Sequence, residues 1–112
     1  MRAAVPTNDK TTLFKRSGRA DGFLIIDIQE NGFREVDFRN NTHSHHHHHG
    51  EEHHGHSHKE IVDALSDCNY IIVNIVGKHF GKDLLDAGIK IFKTEKQSIS
   101  EAVKDFLANE IR

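Results

Sequence analysis

Residues 70–88 read YIIVNIVGKHFGKDLLDAG, and this stretch decides the fold. Tyr70 to Val76 is an apolar run with only Asn74 strongly polar, the pattern of a strand covered on both faces. Gly77 breaks the run. Phe80, Leu84 and Ala87, together with Leu85, then mark a helix, and Gly88 stands where a helix C′ residue needs the left-handed conformation. The stretch therefore predicts strand, glycine, helix, glycine.

Downstream, Ile89 to Phe92 predicts the next strand. Ser98 with Glu101 three residues on is a capping box, and Ile99, Ala102, Val103, Phe106, Leu107 and Ile111 trace the apolar face of a last helix. Upstream, Ser57 and Glu60 form a similar signature ahead of Ile61, Ala64, Leu65 and Cys68, which share one helical face.

Earlier still, Ala3 to Pro6 predicts a short central strand closed by the polar turn Thr7 to Lys10, and Thr11 to Asp21 lacks periodicity and predicts a loop with a basic triplet, Lys15, Arg16 and Arg19. Phe23 to Ile28 is nearly continuous in β-favouring apolar residues. Asn31-Gly32 supplies a hairpin turn, and Phe33 to Phe38 alternates apolar and charged residues as an antiparallel, partly exposed strand does. The predicted order is β-β-β-α-β-α-β-α.

Between the third strand and the first helix lies HSHHHHHGEEHHGHSH, residues 43–58, in which ten of sixteen residues are histidine. Imidazole is the commonest metal ligand, and this density offers many pairs and triples of ring nitrogens to one ion. The candidate ligands are His43, His45, His46, His47, His48, His49, His53, His54, His56 and His58. Imidazole suits nickel, copper and zinc, Glu51 and Glu52 could add oxygen, and no thiolate lies in the tract, so nickel or zinc is the expected ion. A solvated polar loop without specific function is the bland rival; a purification tag fits poorly, because the tract is interrupted and lies mid-chain. The tract is expected to be mobile without metal.

The 112 residues fit one domain over 1–112 with the His-rich insertion at 43–58, and need neither disulfides nor a structural metal for a core. A formal charge of −2 and a pI near 6.6 favour neither nucleic acid nor an anionic membrane as partner. Cys68, the single cysteine, cannot form an intramolecular disulfide and reads as a small buried hydrophobe. MRAAVP carries no signal-peptide core and no run has transmembrane length, so a soluble cytoplasmic protein is expected.

An opening AVP strand, a polar loop ending in Gly18-Arg19-Ala20, the run Phe23 to Asp27 and the unit from Ile71 to Gly88 together resemble the dinitrogenase iron-molybdenum cofactor biosynthesis family, across nearly the whole chain apart from the His tract. The resemblance implies a three-layer α/β/α domain of the ribonuclease H-like kind, with a mixed five-stranded sheet ordered 3-2-1-4-5 and strand two antiparallel to the rest. It also implies an accessory protein that binds or carries iron-molybdenum cofactor or a precursor cluster, for a client metalloenzyme or assembly protein. The family commonly has His-Phe-Gly just before the Arg-Ala of the first loop, its histidine being the favoured cluster ligand. Here Arg16 and Ser17 stand in those places, and an arginine pairs with an anionic cluster but cannot coordinate a metal. His79-Phe80-Gly81 follows strand four and is a different motif.

In that topology the C-terminal ends of strands one, three, four and five share one edge of the sheet, where open α/β sheets bind ligands. The expected cofactor-binding residues there are Arg16, Ser17, Gly18, Arg19, Lys78 and His79, with tract histidines above them and backbone N–H groups at the helix start. The competing readings are a surface histidine at His79 and an ordinary solvated loop at Lys15 to Arg19.

A nuclease reading fails on chemistry, since two-metal catalysis needs clustered carboxylates on central strands and strand one has none. No phosphate loop or nucleophile elbow is visible. The expectation is a non-enzymatic metal or metallocluster carrier. Its alternative is a protein-interaction module whose His-rich loop is incidental.

Overall fold

The computed structural model describes residues 1–41 and 58–110. The strands are β1 (Arg2–Thr7), β2 (Gly22–Gln29), β3 (Gly32–Asn40), β4 (Tyr70–Val73) and β5 (Lys90–Lys93), and the helices are α1 (His58–Ala64), α2 (Lys78–Asp86) and α3 (Ile99–Glu110). The sheet runs β3-β2-β1-β4-β5. β2 is antiparallel to both β1 and β3, while β1–β4 and β4–β5 are parallel, so β2 alone runs against the other four strands. The mixed five-stranded sheet implied by the resemblance, in the order 3-2-1-4-5 with strand two antiparallel, is what the chain forms.

Strand alternation divides the core into two layers. Ala3, Val5, Leu24, Ile26, Ile28 and Ile72 point to one face and meet Ile99, Ala102, Val103 and Phe106 of α3. Ala4, Phe23, Ile25, Ile71 and Val73 point to the other and meet Ile61 and Leu65 from the α1 region and Phe80 and Leu84 of α2. β1 and β2 are covered on both sides, which is why their sequences read as continuous apolar runs. Tyr70 and Phe92 set their rings edge-on to Phe106, with centroids 4.7 and 5.3 Å away, and join β4 and β5 to α3.

Several sequence expectations need correction. β4 ends at Val73 instead of Val76, because the Asn74 side chain donates to the carbonyls of Thr94 and Lys96 and turns the chain away. Ile75 then bridges Arg16 and is 52% exposed, where a buried strand residue was expected. Leu85 leaves the apolar face of α2 and is 58% exposed, since Phe80 and Leu84 already form the stripe that meets the sheet. Residues 11–21 are not a free loop: Leu13 and Ser17 are buried, Leu13 pairs with Thr7 and Thr12 with Ser98, and Ser17–Arg19 make a 3-10 turn.

The hairpin turns at Glu30 and Asn31, with Gly32 already paired to Gln29. The pairing of β2 with β3 shifts between Ile25 and Ile26, skipping Val36. This bulge carries Phe33 and Phe38, which regular alternation would place on opposite faces, to the same α3-side core. Gly88 follows α2 at φ +86°; its N–H donates to the Leu85 carbonyl and the Ile89 N–H to that of Leu84, closing a Schellman motif over the buried Leu84–Ile89 contact.

Candidate functional site

Because β1, β3 and β4 run the same way, the segments that follow them emerge together. Side-chain hydrogen bonds fasten them there. Ser17, buried after β1, donates its Oγ to the Ile75 carbonyl at 2.8 Å, and Arg16 pairs with Ile75 as an isolated parallel bridge. Asn41, buried directly after β3, donates Nδ2 to the carbonyls of Gly18 and Ala20, each at 3.0 Å. Its own backbone N–H reaches the Asp21 carbonyl at 2.8 Å. The loop after β1 is thus clasped between the end of β3 and the turn after β4.

α2 starts from this turn. Gly77 is its N-cap, in extended conformation, and no side chain caps the helix. The N–H groups of Lys78 and His79 have no acceptor within the helix and lie at the positive end of its dipole. Gly18 lies against Phe80, since a Cβ there would come 3.8 Å from its ring. Lys15, Arg16, Arg19, Lys78 and His79 are all exposed, so the edge presents four permanent cations and one imidazole around a backbone donor set.

Of the expected residues, the structure brings Arg16, Ser17 and Gly18 beside the start of α2, with Arg19 closing the same 3-10 turn and Lys78 and His79 opening the helix. Ser17 works inward: its hydroxyl ties the loop to the turn after β4 and is not presented outward. Asn41 was not legible beforehand, because a buried amide after a strand looks like any turn asparagine until its two carbonyl acceptors are seen.

The tract histidines His43, His45 to His49, His53, His54 and His56 lie outside the described residues, as do Ser57 of the expected capping box and the expected mobility of the tract. His58 opens α1. Both ends of the 42–57 segment are therefore placed, one at Asn41 and one at the start of α1.

Among the described residues no three His, Cys, Asp or Glu side chains come together to hold a metal ion. The donors of the edge are cationic side chains and backbone N–H groups, which suit an anionic cluster or oxyanion. Cys68, in the turn after α1, is buried in the same core layer as Ile61 and Leu65, and burial, reinforced by Asp67, pushes its thiol up to about 11. It is a packed hydrophobe, not a thiolate ligand.

The family described as dinitrogenase iron-molybdenum cofactor matches residues 1–109. The chain belongs to this family. Solved structures with the same fold include a Thermotoga protein provisionally assigned as NifB, at 25% identity and TM-score 0.69, with 96% of this chain and 88% of that one covered. The apo orange protein of Desulfovibrio gigas matches with TM-score 0.73 at 20% identity, over 99% of this chain and 90% of that one. A Methanocaldococcus jannaschii protein provisionally assigned as a dinitrogenase matches with TM-score 0.70 at 18% identity, over 98% and 90% of the two chains. No curated protein matches the sequence. No helix among the described residues is long and apolar enough to cross a membrane.

Proposed function

We propose that this family member is a carrier that takes a transition metal or an anionic metallocluster, such as iron-molybdenum cofactor or a precursor, as cargo and does no chemistry on it. The cationic edge around Arg16, Arg19, Lys78 and His79 receives the anionic cargo, and the histidines of 43–58 capture divalent nickel or zinc. A client metalloenzyme or assembly protein then takes the cargo.

The observation that carries this reading is the Asn41 clasp. It seats the root of the histidine-rich segment against Gly18 and Ala20, in the loop that bears Arg16 and Arg19. The chain thus enters its histidine-rich sequence from a residue bonded to the loop that bears the cations.

Arg16 replaces the histidine the family commonly has, so the loop offers charge-assisted hydrogen bonds in place of a coordinate bond. Tetrathiomolybdate, a molybdenum–sulfur dianion, separates the two roles. An Arg16→Ala, Lys78→Ala double variant is expected to bind it at least about tenfold more weakly while keeping nickel affinity, as loss of a charged hydrogen bond implies. Unchanged tetrathiomolybdate affinity would remove the edge from the reading.

A further inference from the structure

Between α2 and the edge strand β5 runs an open groove of about 730 Å³. Its floor is apolar, formed by half-buried Val76 and Ile91 and walled by the exposed Leu85. Its rim is basic. Lys78, Lys82 and Lys93 are exposed around it; Asp86 is the one carboxylate among the lining residues and Lys82 holds it at 3.0 Å, with Asp83 also acting on Lys82. This local excess of positive charge stands out in a chain whose formal charge is −2.

Gly81 lies inside α2 on the same floor. Glycine weakens a helix interior relative to alanine. A Cβ at Gly81 would only make ordinary contacts, 3.6 Å from Ile91 Cδ1 and 3.8 Å from the Val76 methyls, so packing does not require a glycine here. What the missing side chain provides is depth in the groove.

We propose that this groove docks an acidic segment of a partner protein, whose apolar side chains enter between Leu85, Val76 and Ile91 and whose carboxylates pair with the lysine rim. The open shape suits a length of polypeptide better than an enclosed small ligand. Among the described residues no aromatic side chain lines the groove for a nucleic-acid base to stack on. Lysines at both ends of β5 disfavour addition of another strand to that edge, so the segment is held by its side chains across the groove. The groove begins at Gly77 and Lys78, next to the cationic edge, so a docked partner would lie beside the cargo.

The inference needs no metal, and its test is done without one. The metal-free, 15N-labelled full chain is titrated with a synthetic helical peptide of glutamate and leucine, and with a counterpart carrying lysine for glutamate. The acidic peptide is expected to shift the amides of Val76, Gly81, Leu85 and Ile91 and to bind at least about tenfold more tightly than the basic one. Leu85→Glu and Lys93→Glu, both at exposed positions, should each weaken it by about tenfold without disturbing the rest of the spectrum. Equal affinity for both peptides, shifts confined to another face, no binding of either, or full binding by Leu85→Glu would overturn the proposal. Such a failure would leave nickel and tetrathiomolybdate binding untouched, so it is distinguishable from failure of the carrier reading.

Discussion

Arg39 and Asp67 grip each other through two parallel bonds, Nη1 to Oδ1 at 2.6 Å and Nη2 to Oδ2 at 3.0 Å. The same Nη1 donates to the Ala64 carbonyl at 2.7 Å, closing the C-terminal end of α1, and Arg2 adds a second guanidinium to Asp67 at 2.9 Å. Arg39 lies two residues before Asn41, so the strand from which the histidine-rich segment departs is tied to the helix through which it returns. Asp67→Asn should cost about 1 kcal/mol in urea unfolding, the scale of a bidentate pair that is still partly solvated.

The pH dependence of stability follows from the same residue. The hydrogen bond from Arg39 holds the Asp67 carboxyl well below the usual carboxylate range, and backbone N–H groups of Thr11 and Thr12 draw Asp9 down to about 2. Both folded values lie below the unfolded value of about 3.9, so the stabilisation is full above that pH and is lost as pH falls through the folded values. Unfolding free energy should therefore decline below about pH 4, and the decline should be shallower in Asp67→Asn. An identical slope in that variant would show that other carboxylates set it.

Gly88 adopts φ +86°, and the Schellman bonds require it. Gly88→Ala places a Cβ in the left-handed region and should lower stability by about 1–2 kcal/mol, read as a shift in the urea midpoint with unchanged slope.

This turn was legible in the sequence because its physics is local: a glycine ends an apolar period. The Ser98 cap of α3 was legible for the same reason, and its hydroxyl does accept the Glu101 N–H at 3.2 Å. The exposure of Ile75 and Leu85 was not legible. Each belongs to an apolar pattern, and only the Asn74 side chain, bonded some twenty residues away, and the width of the sheet under α2 decide that they face outward. The Val36 bulge is hidden likewise, since the spacing of Phe33 and Phe38 acquires meaning only once β2 fixes the register. At the candidate site the charges could be read directly, whereas the clasp that assembles them spans β1, β3 and β4.

Cys68 should behave as core. With its thiol near 11 and its side chain buried, it should react slowly with a disulfide reagent at about pH 8 in the native protein and rapidly once urea unfolds the chain. Fast native labelling would contradict the packing of the α1 layer.

Asn41→Leu removes two side-chain donors from buried or half-buried carbonyls. It should lower stability by about 1–3 kcal/mol, and hydrogen exchange should quicken first at Arg19 to Asp21, where the clasp acts. Faster exchange spread evenly over the sheet would mean that Asn41 stabilises the whole fold and not the loop.

The most direct test of the carrier account is a calorimetric titration of metal-free protein with nickel and zinc, set beside a variant lacking residues 43–56. The account predicts micromolar or tighter binding, on the order of −8 kcal/mol, that disappears with the deletion and weakens as pH falls through about 6.5 and the imidazoles protonate. Equal binding by both proteins, or binding by neither, would contradict it.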